Sequence, residues 1–200
     1  MMKKLARSDL WSLEQYAERR QQFRAEVMAH KKNRQLALND NARLYFEDEM
    51  TIRYQVQEML RIEKVFEADG IEEELEAYNP LIPDGSNWKA TFMLEYGDVD
   101  ERQQMVKQLV GIETKVWMQA QGCDKVYPIA DEDLERSDGE RTSTVHFLRF
   151  ELDSATVAAL QGGAALLAGI DHPHMVVAQM QIPDAVRDSL VADLAPAATH

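Results

Sequence analysis

Thr142-Ser143-Thr144-Val145-His146-Phe147-Leu148-Arg149-Phe150-Glu151-Leu152 reads as a β-strand. Val145, Phe147, Leu148 and Phe150 leave neither face polar, which predicts a strand covered on both sides. Alternation puts His146 on one face with Thr144, Leu148 and Phe150, and Arg149 on the other. Downstream, Asp153 or Ser154 caps a short helix that Gly162-Gly163 stops. Residues 164–170 and 175–182 then flank Asp171-His172-Pro173-His174 as a hairpin, and Pro183-Asp184 opens a last helix. Upstream, residues 88–96 alternate, Asp98 caps a helix that Gly111 ends, and residues 114–120 and 122–128 read as strands.

The front of the chain is mainly helical. Ser8 or Asp9 caps a helix to about His30, with Leu13, Tyr16, Phe23 and Val27 on one stripe. Asn39-Asp40-Asn41 turns a hairpin between residues 35–38 and 43–46. A long helix from about Asp48 to Ala68 buries Ile52, Val56, Met59, Leu60 and Phe66. Asp69-Gly70 breaks it before a short helix to Tyr78. The expected architecture is α+β: a mixed or largely antiparallel sheet with packed helices, two of them long and N-terminal. Residues 1–194 form one domain and residues 195–200 a disordered tail. The second helix is expected to pack on the sheet that contains residues 142–152. If the strands on either side of residues 153–163 are neighbours, they run parallel.

The chain of 200 residues carries 22 Lys and Arg against 35 Asp and Glu, a net charge of −13. Nine of the basic residues and only four of the acidic ones lie in residues 1–34, so the rest of the chain carries −18. Such a field repels nucleic acid, and no nucleic-acid partner is expected. The basic helix is expected to lie across the acidic body. No apolar run reaches the roughly 18 residues a membrane helix requires. The basic start, Met1 to Arg7, lacks the apolar core of a secretory signal. The single cysteine, Cys123, suits a reducing compartment, and a cytoplasmic location is expected.

Familiar catalytic signatures are missing: no phosphate loop, dinucleotide fingerprint, paired-Cys motif, His-Glu-x-x-His helix or nucleophile elbow. One cysteine cannot hold an iron–sulfur cluster in the usual four-thiolate manner. Three weaker constellations remain. Glu49, Arg53, Gln57 and Arg61 form one helical row, with Tyr54 and Glu58 beside it. A solvated salt-bridge ladder explains the row; the functional reading is a cleft wall in which Arg53 grips an anion and Glu58 acts as base or ligand. Asp171, His172 and His174 at a hairpin tip can approach a divalent metal, or simply form an exposed turn. His146 is either a core residue with its hydrogen bonds satisfied or a ligand that meets Glu58 or His172.

Five segments carry a resemblance. Residues 53–61 (Arg-Tyr-Gln-Val-Gln-Glu-Met-Leu-Arg), 77–83 (Ala-Tyr-Asn-Pro-Leu-Ile-Pro), 109–113 (Leu-Val-Gly-Ile-Glu), 145–150 (Val-His-Phe-Leu-Arg-Phe) and 170–173 (Ile-Asp-His-Pro) resemble, in order, an uncharacterised bacterial family. It is catalogued as domain of unknown function thirty-five-oh-one. The resemblance implies a setting, since members are often encoded near a rubrerythrin and near an iron–sulfur protein similar to heterodisulfide reductase subunits. It implies an accessory or interaction protein of an iron-dependent redox system, serving peroxide removal or thiol-linked electron transfer. The alternative is a small metal-dependent enzyme with a His/carboxylate cleft. The candidate cleft residues are Arg53, Tyr54, Glu58, Tyr78, Asn79, His146 and Arg149, and the candidate metal ligands are His146, Asp171 and His172. A divalent metal is the one cofactor these residues suggest. The expected partners are a rubrerythrin-like or a heterodisulfide-reductase-like protein.

Overall fold

The computed structural model describes residues 4–196. The helices are α1 (Leu13–Lys31), α2 (Glu49–Glu63), α3 (Ala68–Tyr78), α4 (Val99–Gln108), α5 (Ser154–Gln161) and α6 (Asp184–Val191). The strands are β1 (Gln35–Asn39), β2 (Ala42–Phe46), β3 (Asn87–Leu94), β4 (Val116–Ala120), β5 (Ile129–Ala130), β6 (Val145–Glu151), β7 (Leu166–His172) and β8 (Met175–Gln181). The fold is α+β, with every strand pair antiparallel. There are two sheets where one was expected: β1-β2-β3-β6-β5, and β4-β7-β8. β6 and β7 are therefore not neighbours. α5 carries the chain from one sheet to the other, so the conditional parallel pairing does not arise.

The main core fills the space between the sheets. Phe46, Trp88, Phe92 and Phe150 from the larger sheet meet Val116, Met118 and Ile170 from the smaller, with Leu160 of α5 and Leu190 of α6 closing one end. Strand alternation sets what remains outside. On β3, Trp88, Ala90, Phe92 and Leu94 are buried while Lys89, Thr91 and Met93 are half-exposed. β6 buries His146, Leu148 and Phe150 and turns Phe147 and Arg149 outward. Register places Lys89 opposite Arg149, and Thr91 between Tyr45 and Phe147. The outer face of the larger sheet thus carries one cationic row and one aromatic row.

α1, α2 and α3 form a layer of their own outside that face. Ile52, Val56 and Leu60 are buried, as expected, but against Leu5, Leu75 and Ile82 rather than the sheet. The stripe is wide enough for one partner surface, and α3 with the N-terminal segment takes it. α2 ends at Glu63 because Lys64 adopts a left-handed conformation, φ 56°. Phe66 then falls in the connection and is 70% exposed, where burial was expected. Gly70 sits inside α3 instead of breaking the chain. A Cβ there would lie 2.7 Å from Val65 Cγ1, so a larger residue would have to displace the Val65 side chain.

Other boundaries move for local reasons. Ser12, not Ser8 or Asp9, caps α1, accepting from the Gln15 backbone while the Gln15 side chain accepts from Ser12 N–H. Residues 122–128 make only a Met118–Val126 bridge, and Pro128 lacks the N–H a ladder needs. Asp171 and His172 belong to β7, paired with Val176 and Met175, so the turn is shorter than expected. Ala195 donates to the Gly85 carbonyl and accepts from Gln161, so order continues past Leu194. The rest of the expected tail, residues 197–200, lies outside the described residues. No helix among the described residues is long and apolar enough to cross a membrane.

Candidate functional site

The structure does not unite the expected cleft. Arg53 and Glu58 turn toward α1, away from the sheet. The Arg53 guanidinium lies over Trp11, 4.2 Å from the ring centroid, with Arg19 on the same ring at 5.4 Å. Glu58 accepts from Arg20 through both oxygens, at 2.7 and 2.9 Å, and from the Tyr16 hydroxyl at 2.6 Å. The Arg20 hydrogen bonds, with those of Tyr16 and Arg61, hold its carboxyl down at about 2 against the opposing effect of burial. Glu58 is therefore an anchored anion and a poor base at neutral pH. Tyr54 packs edge-on against Phe23.

His146 is fully buried and lies at the centre of a network. Its Nδ1 donates to Asp131 Oδ2 at 2.6 Å. Its Nε2 lies 2.9 Å from Thr142 Oγ1 and 3.0 Å from the Ser143 carbonyl, with Glu113 at 3.9 Å. Carboxylate, imidazole and hydroxyl follow in the order of a hydrolase triad. Here the Ser143 carbonyl occupies the Nε2 edge and no face of the ring meets solvent. The group fastens the loop of residues 131–143 to β6. Asp131 takes a left-handed φ of 51° to reach it, a cost of roughly 1 kcal/mol or more that these bonds offset.

His172 and Asp171 occupy opposite faces of β7. His172 is buried; its Nε2 donates to the Val110 carbonyl at 3.1 Å, and its Nδ1 accepts from the His174 N–H. Asp171 is exposed and accepts from Lys125 and Tyr127, which lower its pKa. His146, Asp171 and His172 thus serve three separate sets of partners. Among the described residues, no group of three or more His, Cys, Asp or Glu is placed to hold a metal ion.

A cleft does lie between the helical layer and the sheet, built largely from other residues. It has two lobes, of about 570 and 410 Å³, which share Glu47, Tyr78, Leu81 and Phe147. The floor is the outer face of β2, β3 and β6. Of the expected cleft residues, Tyr78 and Arg149 line it. Asn79 stands behind the wall, where its amide pairs with both backbone groups of Leu5. Arg149 is held by Glu132 at 2.8 Å through two nitrogens and by Glu151 at 2.5 Å. Lys89 donates to the Pro80 carbonyl; burial, with Arg149 beside it, lowers its pKa. Glu47 is held by two hydroxyls, Thr51 at 2.6 Å and Thr91 at 3.0 Å.

A family model described as Protein of unknown function (DUF3501) matches residues 4–194. The chain belongs to the DUF3501 family. A crystal structure titled as a novel protein of unknown function, from Burkholderia pseudomallei K96243, is 51% identical with a TM-score of 0.92, covering 96% of this chain and 100% of that one. No curated protein matches the chain.

Sequence reasoning missed Glu47, Lys89 and Phe147 as groove residues of this DUF3501 chain. One signal was available: alternation in residues 88–96 put Lys89 on the more polar face, whereas apolar side chains on both faces of residues 142–152 left the side of Phe147 undecided. That a helical layer would stand off from that face, leaving a groove, depends on where α2 spends its apolar stripe. Asp131 carried no signal, since Glu132, Asp133 and Glu135 stand beside it in the same polar loop.

Proposed function

We propose that this protein is an accessory binding protein of an iron-dependent redox system, and that it engages its partner through the groove between the helical layer and the larger sheet. One observation carries the reading. The groove sets the side chains of Tyr45, Tyr78, Leu81 and Phe147 among charged groups held in place by partners, Glu47, Lys89 and Arg149, the mixture of a recognition site. The imidazoles that metal chemistry would use are instead spent on internal hydrogen bonds. The redox setting rests on the family resemblance, and the acidic body suits a basic partner face. The metal-enzyme alternative draws no support from side chains that serve separate partners.

The test is binding to purified rubrerythrin-like and heterodisulfide-reductase-like iron–sulfur proteins, measured by calorimetry. A complex with either, weakened at least tenfold by Phe147→Glu or Leu81→Glu, is expected. A complex indifferent to both variants overturns the groove; no complex with either protein overturns the redox setting.

A further inference from the structure

We propose that the groove receives a basic side chain, Lys or Arg, from the protein partner, with Glu47 as its counter-ion; this rests on the reading of the groove as a docking site. Glu47 lies where the two lobes meet. The hydroxyls of Thr51 and Thr91 fix one direction at each carboxylate oxygen. A carboxylate accepts about four hydrogen bonds, so roughly two directions remain. Glu47 makes no ion pair among the described residues. The two lysines that line the lobes are directed elsewhere, Lys31 over the Tyr54 ring and Lys89 onto the Pro80 carbonyl. An oriented carboxylate without a cation, in a partly desolvated groove, is the arrangement a cation completes.

The walls point the same way. Tyr45, Tyr78 and Phe147 line the lobes around Glu47, and aromatic faces attract ammonium and guanidinium groups within about 6 Å of the ring. The long methylene stem of Lys or Arg suits the aromatic row of the floor while its head reaches the carboxylate. The groove's other fixed cation, Arg149, already has Glu132 and Glu151 as partners, so it offers an anion little. Beyond the groove, a body carrying −18 outside residues 1–34 draws basic surfaces toward it.

The experiment uses the full chain and fluorescent seven-residue Gly/Ser peptides with Arg, Lys, citrulline or Glu at the centre. Binding is followed by anisotropy and by the amide signals of Thr51, Thr91 and Phe147. The Arg and Lys peptides are expected to shift those signals and to bind at least tenfold tighter than the citrulline and Glu peptides. Glu47→Gln, which retains an acceptor for Thr91, removes that preference; Glu47→Asp retains part of it. Equal binding of Arg and citrulline peptides overturns the proposal. So does Arg-peptide binding that Glu47→Gln leaves unchanged, or free agmatine binding as tightly as the Arg peptide. If Glu47→Gln has no effect on a redox-protein complex while Phe147→Glu weakens it, the groove stands and the cation falls; indifference to both variants removes the two readings together.

Discussion

Arg20 and Glu58 join α1 to α2 through two nearly parallel hydrogen bonds of 2.7 and 2.9 Å, and the Tyr16 hydroxyl adds a third. Glu58 is 13% exposed and Arg20 36%, so solvent screens part of the pairing. Because the folded carboxyl titrates at about 2, below its ordinary 4.5, the contribution is present above pH 4.5 and is lost as pH falls toward 2. Glu58→Gln is expected to destabilise by about 1–3 kcal/mol at pH 7 after allowance for screening. The difference from wild type should shrink in urea melts between pH 4.5 and 2. A penalty that stays constant across that range would mean that packing, not charge, is what the substitution removes.

α2 buries Leu60 at 2% exposure beside Leu75 and Ile82, whereas Phe66 stands 70% exposed beyond the helix end. Leu60→Ala is expected to cost about 2–5 kcal/mol. Phe66→Ala should stay within about 0.5 kcal/mol, as surface changes do. Guanidinium melts of the two variants decide it. A large loss at Phe66 would place that ring in the core after all.

Gly169 of β7 faces Trp117 of β4 across the smaller sheet, and the indole lies where a Cβ would be. The backbone conformation is unstrained, so the requirement is space alone. Gly169→Ala is expected to cost about 1–3 kcal/mol through displacement of the ring and of the Val177 carbonyl, 2.7 Å from the Cβ position. Trp117 fluorescence should shift with it. Gly163→Ala meets no atom but carries a φ of 97°, so it should lose stability with the emission of Trp117 unchanged.

Helices and strands were legible because the apolar period reports which face is buried. Residues 88–96 separated their inward and outward side chains correctly, and residues 142–152 sorted theirs into the right two sets without showing which set faced the core. The period does not say what buries a face. Ile52, Val56 and Leu60 were correctly inward, yet their partner proved to be α3 and Leu5. The same gap hid the groove. At the hairpin, a change of two residues in turn length moved Asp171 and His172 onto opposite faces of one strand, which removed the metal reading. Arg53 and Glu58 looked available because a helical row does not show that Tyr16 and Arg20 of another helix, and Trp11 just before it, take them as partners.

The network around His146 offers the sharpest separation of a structural role from a ligand role. The imidazole bridges Asp131 on one side and Thr142 with Ser143 on the other, so it closes the loop of residues 131–143 at both ends. Arg136 reinforces it, 3.2 Å from Asp131 Oδ1 and stacked over Phe147. Removing the ring leaves the Asp131 carboxylate, 9% exposed, with Arg136 and the Phe147 N–H only. Leaving a buried carboxylate short of one hydrogen-bond partner costs about 1–3 kcal/mol, and His146→Ala is expected to fall in that range because Arg136 and the Phe147 N–H remain on Asp131. The loop should become sensitive to trypsin at Arg136 and Arg141 before the sheets unfold, since those sites leave the protected segment first. Zinc should not raise the melting temperature of the wild type, because both ring nitrogens are already engaged, nor should His146→Ala change the response. A zinc-dependent rise that His146→Ala abolishes would show that the ring leaves Asp131 to bind metal.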